Sequence, residues 1–218
     1  MTLAIFDLDN TLLAGDSDNL WCEFAWENGL AREPGFTEKK DAFYADYQSG
    51  NLDVDAYLRF ALSTLKHRSM SELARWHRQF MQEKIKPIML PKSRSLIANH
   101  REQGHDLLII TATNAFITRP IAHAFGIEDL IACEAEIIDD FYTGAPIGVP
   151  SFHAGKVARL KAWLDERDMV MTDAYFYSDS HNDLPLLEIV THPIAVDPDD
   201  ILAARAKENE WPIISLRS

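Results

Sequence analysis

Cysteine is nearly absent. Cys22 and Cys133 are the only two in 218 residues. Their spacing gives neither a disulfide framework nor a paired zinc pattern. Basic residues are also scarce, 21 Lys and Arg against 34 Asp and Glu, for a formal charge of −13. That balance argues against nucleic acid or an anionic membrane as partner, since both attract basic surfaces. No apolar run approaches the roughly 18 residues that a membrane span needs. No basic segment followed by a long apolar core stands at the N-terminus. Internal repeats and low-complexity tracts are missing too. The expectation is a soluble cytoplasmic protein acting on a small molecule; the sequence sets no oligomeric state. A hydrophobic content of 47% is ordinary for a globular chain of this length.

What is present is a set of polar clusters, each closing an apolar run. Leu3-Ala4-Ile5-Phe6 reads as a buried strand and ends in Asp7-Leu8-Asp9-Asn10-Thr11. Two carboxylates two residues apart at a strand end reach toward one spot. Burying such a pair is unfavourable without a cation or a shared proton. The arrangement suits a carboxylate nucleophile, a second carboxyl for proton transfer and a divalent metal. Leu107 to Ile110 ends in Thr111-Ala112-Thr113-Asn114, and Tyr175-Phe176-Tyr177 ends in Ser178-Asp179-Ser180-His181-Asn182-Asp183. Lys156 opens an amphipathic helix. In a parallel α/β sheet, sites form outside the carboxyl ends of the strands, so these groups can meet in one crevice.

About 100 residues separate Asp7 from Thr111, too many for one crossover of roughly 30 residues. The excess is an insertion with helical periodicity, carried by Trp21, Phe24 and Ala25, by Tyr57, Phe60 and Ala61, and by Leu73, Trp76 and Phe80. Asp53 and Ser69 are expected helix N-caps. The pattern predicts about four helices over residues 16–86, their aromatic stripe serving as the insertion's own core. The remainder, 1–15 and 87–218, alternates in the α/β manner. Helices are expected over 92–103, 115–125, 156–167, 183–190 and 199–209. Strands are expected over 107–111, 130–138, 174–178 and 193–196. Residues 143–150, with two Gly and two Pro, read as a turn or flap.

The ordered set Asp-x-Asp-x-Thr, strand-end Thr, Lys, and Ser-Asp-x-x-Asn-Asp resembles the four motifs of the haloacid dehalogenase superfamily. The closest likeness is to its subfamily IB, phosphoserine-phosphatase-like and histidinol-phosphatase-like, in which a helical cap follows the first motif. The resemblance spans nearly the whole chain. It implies an α/β fold, a Rossmann-like parallel sheet core with an inserted helical-bundle cap. It implies a Mg2+-dependent phosphomonoesterase that works through an aspartyl-phosphate. Asp7 would be the nucleophile and Asp9 the general acid, then base. Thr111, the amide of Ala112, Lys156 and Asn182 would bind the phosphoryl oxygens. Asp7, the main-chain carbonyl of Asp9, Asp179 and Asp183 would serve the metal. Dehalogenases that attack carbon typically lack the second Asp, so Asp9 favours a phosphate substrate. Two positions depart from the family pattern, Ser178 and Ala112 standing where Gly is common.

The resemblance places Asp16 where phosphoserine phosphatases bind the substrate amine, with Arg59 a loose candidate for the substrate carboxylate. Asp16 and Asp18 together suit a cationic leaving group, and histidinol phosphate is the expected substrate; a pair of acids at a helix start explains them equally well. Phosphoserine is the alternative. Other readings are a phosphotransferase, a receiver-like phosphoacceptor switch and a phosphate-binding protein. Taken singly, Asp7 and Asp9 suit a solvated turn, Thr111 a strand end and Lys156 a solvated helix. No ligand role is expected of His181 or His153.

Overall fold

The computed structural model describes residues 2–217. Seven strands form one sheet, in the order β4-β3-β2-β1-β5-β6-β7. They are β1 (Thr2–Phe6), β2 (Asp106–Asn114), β3 (Asp129–Ile138), β4 (Phe141–Ile147), β5 (Asp173–Ser178), β6 (His192–Val196) and β7 (Ile213–Ile214). Neighbours run parallel except β3 and β4, which are antiparallel. A parallel sheet must be covered on both faces, and the side chains of β1 divide accordingly. Ala4 and Phe6 enter one core cluster, Leu3 and Ile5 the other. The first cluster takes in α5 (Pro91–Glu102) and α6 (Ala115–Ala124). The second takes in α7 (Ala154–Asp165), the single turn α8 (Leu184–Leu187) and α9 (Asp200–Glu208).

Between β1 and β2 lie α1 (Ser17–Glu27), α2 (Phe36–Gln48), α3 (Val54–Ser63) and α4 (Met70–Phe80). Asp53 and Ser69 cap α3 and α4, accepting from the amides of Ala56 and Glu72. The aromatic stripe is packed inside. The buried Trp21 meets Phe24, Phe80 and Phe116, and its indole N–H donates to Thr64 Oγ1 at 2.9 Å. A π-helical turn at Met81–Ile85 and a 3₁₀ turn at Lys86–Ile88 lead back to the sheet. The two connections are tied together there, Ala14 N donating to Ile88 O at 2.8 Å.

Three expected elements differ. Most of residues 143–150 is not a flap; Thr143–Ile147 belong to β4. Pro146 is tolerated because β4 is an edge strand. Gly144 suits its place because its φ of 84° is one that L side chains rarely adopt, and a Cβ there would also press on the Lys66 stem at 2.6 Å. The helix expected over 183–190 is only the turn α8, preceded by a 3₁₀ turn at His181–Asp183. Strand β2 also runs on past Thr111 to Asn114.

Candidate active site

The sheet switches direction of winding at β1, which lies between β2 and β5. Phe6 pairs with Ile109 on one side and Tyr177 on the other, so Asp7, Thr111 and Ser178 emerge together. Past the strand the chain turns sharply through Asn10, at φ 58°, a left-handed conformation that Asn tolerates. The turn folds Thr11 back. Its hydroxyl lies 2.9 Å from Asp179 Oδ1 and 3.3 Å from Asp7 Oδ2, and accepts from the Asp179 amide at 3.1 Å.

Lys156 enters from the start of α7. The helix begins tightly against Pro150, since a Cβ at Gly155 would run into the Pro150 carbonyl oxygen. The buried Lys156 Nζ donates to Asp7 Oδ1 at 2.8 Å and is 2.7 Å from Asp183 Oδ1. Ser178 Oγ donates to Asp183 Oδ2 at 2.7 Å. Asp183 is thus committed to Lys156 and to Ser178, the residue standing where Gly is common. Burial pulls the Lys156 ammonium down, but the charges of Asp183 and Asp7 outweigh it, and its pKa ends raised.

Burial pushes Asp7 up to about 7 despite the opposing pull of Lys156. Asp179 is raised well above the usual carboxylate range by burial and then by the charge of Asp7. One lysine does not satisfy this set of carboxylates. Asp9 is held differently, the Ser17 amide donating to Oδ1 at 2.6 Å and Thr113 Oγ1 to Oδ2 at 2.8 Å. Burial and the charge of Asp16 push Asp9 up to about 6, which suits proton transfer near neutrality. Thr113 lies in the polar run closing β2, where its hydroxyl could have been read as one more strand-end group.

Thr111, Ala112 and Asn182 line the same crevice. Neither side-chain polar atom of the buried Asn182 has a partner, so it is available to phosphoryl oxygens. The crevice encloses about 760 Å³ not filled by protein, part of it open solvent. The segment between β1 and β2 contributes Asp16, Asp18, Lys40 and several aromatic rings to its wall. Arg59 is exposed on α3 and does not line the crevice, so the structure does not bring it to a substrate carboxylate. Lys40, not foreseen, faces the crevice but is paired with Glu23 at 3.1 Å and Asp41 at 3.2 Å. His181 is turned to Asp199 at 2.8 Å, and His153 sits at the start of α7.

Among the described residues no three His, Cys, Asp or Glu side chains gather as a metal cage. Mg2+ needs none, because it keeps several waters and takes one or two carboxylates. Asp7 and Asp179, bridged by Thr11 and both disfavoured as anions, are a hard-oxygen pair short of positive charge. The residues fit such an ion.

A carboxylate-and-lysine pair, a separately held carboxyl and the unpartnered Asn182 amide line a crevice of the kind that suits phosphoryl transfer. The profile of the haloacid dehalogenase-like hydrolases matches residues 4–188, and the chain belongs to that family. It is similar to a histidinol-phosphatase of Neisseria meningitidis serogroup C (strain 8013), 45% identical over 99% of both chains. A protein of unknown function from Bordetella pertussis Tohama I has the same fold at TM-score 0.93 and 41% identity, over 99% of this chain and 98% of that one. A substrate-bound phosphoserine phosphatase shares the fold at TM-score 0.70 and 16% identity, over 99% of this chain and 92% of that one. The chain is a phosphatase.

Proposed function

We propose that the protein is a cytoplasmic, Mg2+-dependent phosphomonoesterase that works through a phosphoryl group carried on Asp7, with histidinol phosphate as substrate. The observation that carries the reaction is the different treatment of the two carboxyls after β1. Asp7 is ion-paired to Lys156, while Asp9 is held by a hydroxyl and an amide and tuned to about 6. An Asp7 oxygen attacks phosphorus and the ester P–O bond breaks. Asp9 gives its proton to the departing oxygen. Asp9, now a carboxylate, takes a proton from water as the water attacks phosphorus. The bond to Asp7 then breaks and phosphate leaves. Lys156, Thr111, the Ala112 amide and Asn182 neutralise and orient the phosphoryl oxygens. Mg2+ held by Asp7, Asp179 and the Asp9 carbonyl would screen the repulsion between carboxylate and phosphate. Asp183 orients Lys156. The helices over 16–86 act as the cap that excludes water and reads the leaving group.

The substrate reading is supported by the similarity to a histidinol-phosphatase and by a buried acid, Asp18, on the wall of the crevice. Phosphoserine would bring a carboxylate. Of the two lysines that line the crevice, Lys156 is paired with Asp7 and Asp183, and Lys40 already has two acidic partners. The unpaired, buried thiols of Cys22 and Cys133 suit a reducing compartment. Steady-state rates with and without EDTA, on histidinol phosphate, phosphoserine and sugar phosphates, test this function. Histidinol phosphate should lead, and only with Mg2+. Equal rates across the panel would discard the substrate, and full activity after chelation would discard the metal.

A further inference from the structure

Asp16 and Asp18 stand two residues apart at the start of α1, yet their surroundings differ. Asp16 is the N-cap. Its Oδ1 accepts from the amides of Asp18 at 2.9 Å and Asn19 at 2.8 Å. It closes the helix start as an Asp N-cap does. Asp18 is 3% exposed, and neither of its oxygens meets a donor at hydrogen-bond geometry. Tyr57 faces it, its hydroxyl near enough to favour the carboxylate but short of strict hydrogen-bond geometry, so the contact is weak. Buried carboxyls are normally paired, and an unpartnered one destabilises the fold that contains it. Asp18 lines the crevice shared with Asp7. Phe43, Tyr44, Tyr47, Tyr57 and Phe152 line it too. Rings of this kind attract a cation through their faces and stack on a flat heterocycle.

We propose that Asp18, rather than Asp16, is the acceptor for a protonated nitrogen of the leaving group, and that Tyr57 and the neighbouring rings hold the group bearing it. The ligand class is a small phosphomonoester whose alcohol carries a cationic or N–H-bearing heterocycle or amine. Asp16 is a positioning residue that fixes the first turn of α1 and so the placement of Asp18. The assignment rests on the phosphatase reading above and divides the work between two acids that the sequence presents as equivalent.

The test is the ratio of kcat/KM for histidinol phosphate to that for p-nitrophenyl phosphate, in wild type, Asp18→Asn, Asp18→Ala and Asp16→Asn. Loss of a charged hydrogen bond should lower the ratio about tenfold or more in both Asp18 variants, mainly through KM. Their melting temperatures should equal or exceed that of the wild type, because the cost of burying the carboxyl, which the weak contact with Tyr57 does not offset, is gone. Asn caps a helix about as well as Asp, so Asp16→Asn should keep the ratio of the two KM values within about twofold, any change falling on kcat through the charge it no longer places beside Asp9. A ratio that falls in Asp16→Asn and holds in the Asp18 variants overturns the assignment. So does a fall in melting temperature in both Asp18 variants, which would mark a structural role. A wild type with no preference for nitrogen-bearing esters sinks the substrate reading itself. A preference that survives loss of Asp18 sinks this assignment alone.

Discussion

Thr113 Oγ1 donates to Asp9 Oδ2 at 2.8 Å across 104 residues of sequence. The bond leaves Asp9 aimed into the crevice and independent of the Lys156 network that holds Asp7. A general acid matters most when the leaving group is poor. Thr113→Val should therefore slow an alkyl phosphate roughly tenfold, a part of the 10²–10⁴-fold that acid–base catalysis supplies in full, since Asp9 stays and only its orientation is loosened. A p-nitrophenyl ester, whose leaving group hardly needs a proton, should slow much less. Equal slowing of both esters in parallel assays would mean that Thr113 does not act through Asp9.

Lys156 is buried between Asp7 and Asp183. Removing one partner of a buried ion pair leaves charge uncompensated and typically costs about 3–5 kcal/mol. Lys156→Met should lose turnover and lower the urea midpoint by an amount equivalent to about 3 kcal/mol, the low end of that range, because Asp7 can take up a proton. An unchanged midpoint would contradict the network.

Asp179 and Asp7 are the carboxylates that lack enough positive charge. Added Mg2+ should raise the melting temperature of the wild type, since an ion that binds only the folded state stabilises it. Calorimetry of Asp179→Asn should show most of that gain lost. A gain of equal size in the variant would place the ion elsewhere.

The strand-end groups were readable because each follows an apolar run, and parallel topology alone brings such ends together. Asp7, Thr111, Lys156, Asn182 and Asp183 accordingly meet in one crevice. The pairing of Asp9 with Thr113 was not readable, since it depends on how far β2 continues past Thr111. Thr143 to Ile147 was misread because Gly144 and Pro146 signal a turn, whereas an edge strand under Lys66 tolerates both. Arg59 could not be placed by spacing, because the periodicity of α3 fits either face of the helix near the crevice. Nor does the spacing of Asp16 and Asp18 say which carboxyl caps the helix and which is left free.

His100 lies on the opposite side of Tyr177, buried, its Nε2 2.8 Å from the Tyr177 hydroxyl and its Nδ1 2.8 Å from His105 Nδ1. Burial, with His105 adding, pushes His100 down to about 4 from 6.5. Between those values the unfolded chain takes up a proton that the folded one refuses. The stability His100 lends is therefore complete above pH 6.5 and lost as pH falls toward 4. Urea midpoints of wild type and His100→Gln across that window should converge as the pH drops. Parallel curves would show that His100 does not titrate as its burial requires.

The central claim is that the phosphoryl group passes through Asp7. Acid quenching during turnover, borohydride reduction and peptide mass spectrometry test it directly, because an acyl phosphate is reduced to the alcohol and an ordinary carboxylate is not. The expected result is homoserine at position 7 of the wild type, dependent on substrate and absent without it. An unmodified Asp7 in a sample quenched at full turnover, or homoserine at another carboxylate, would contradict the account.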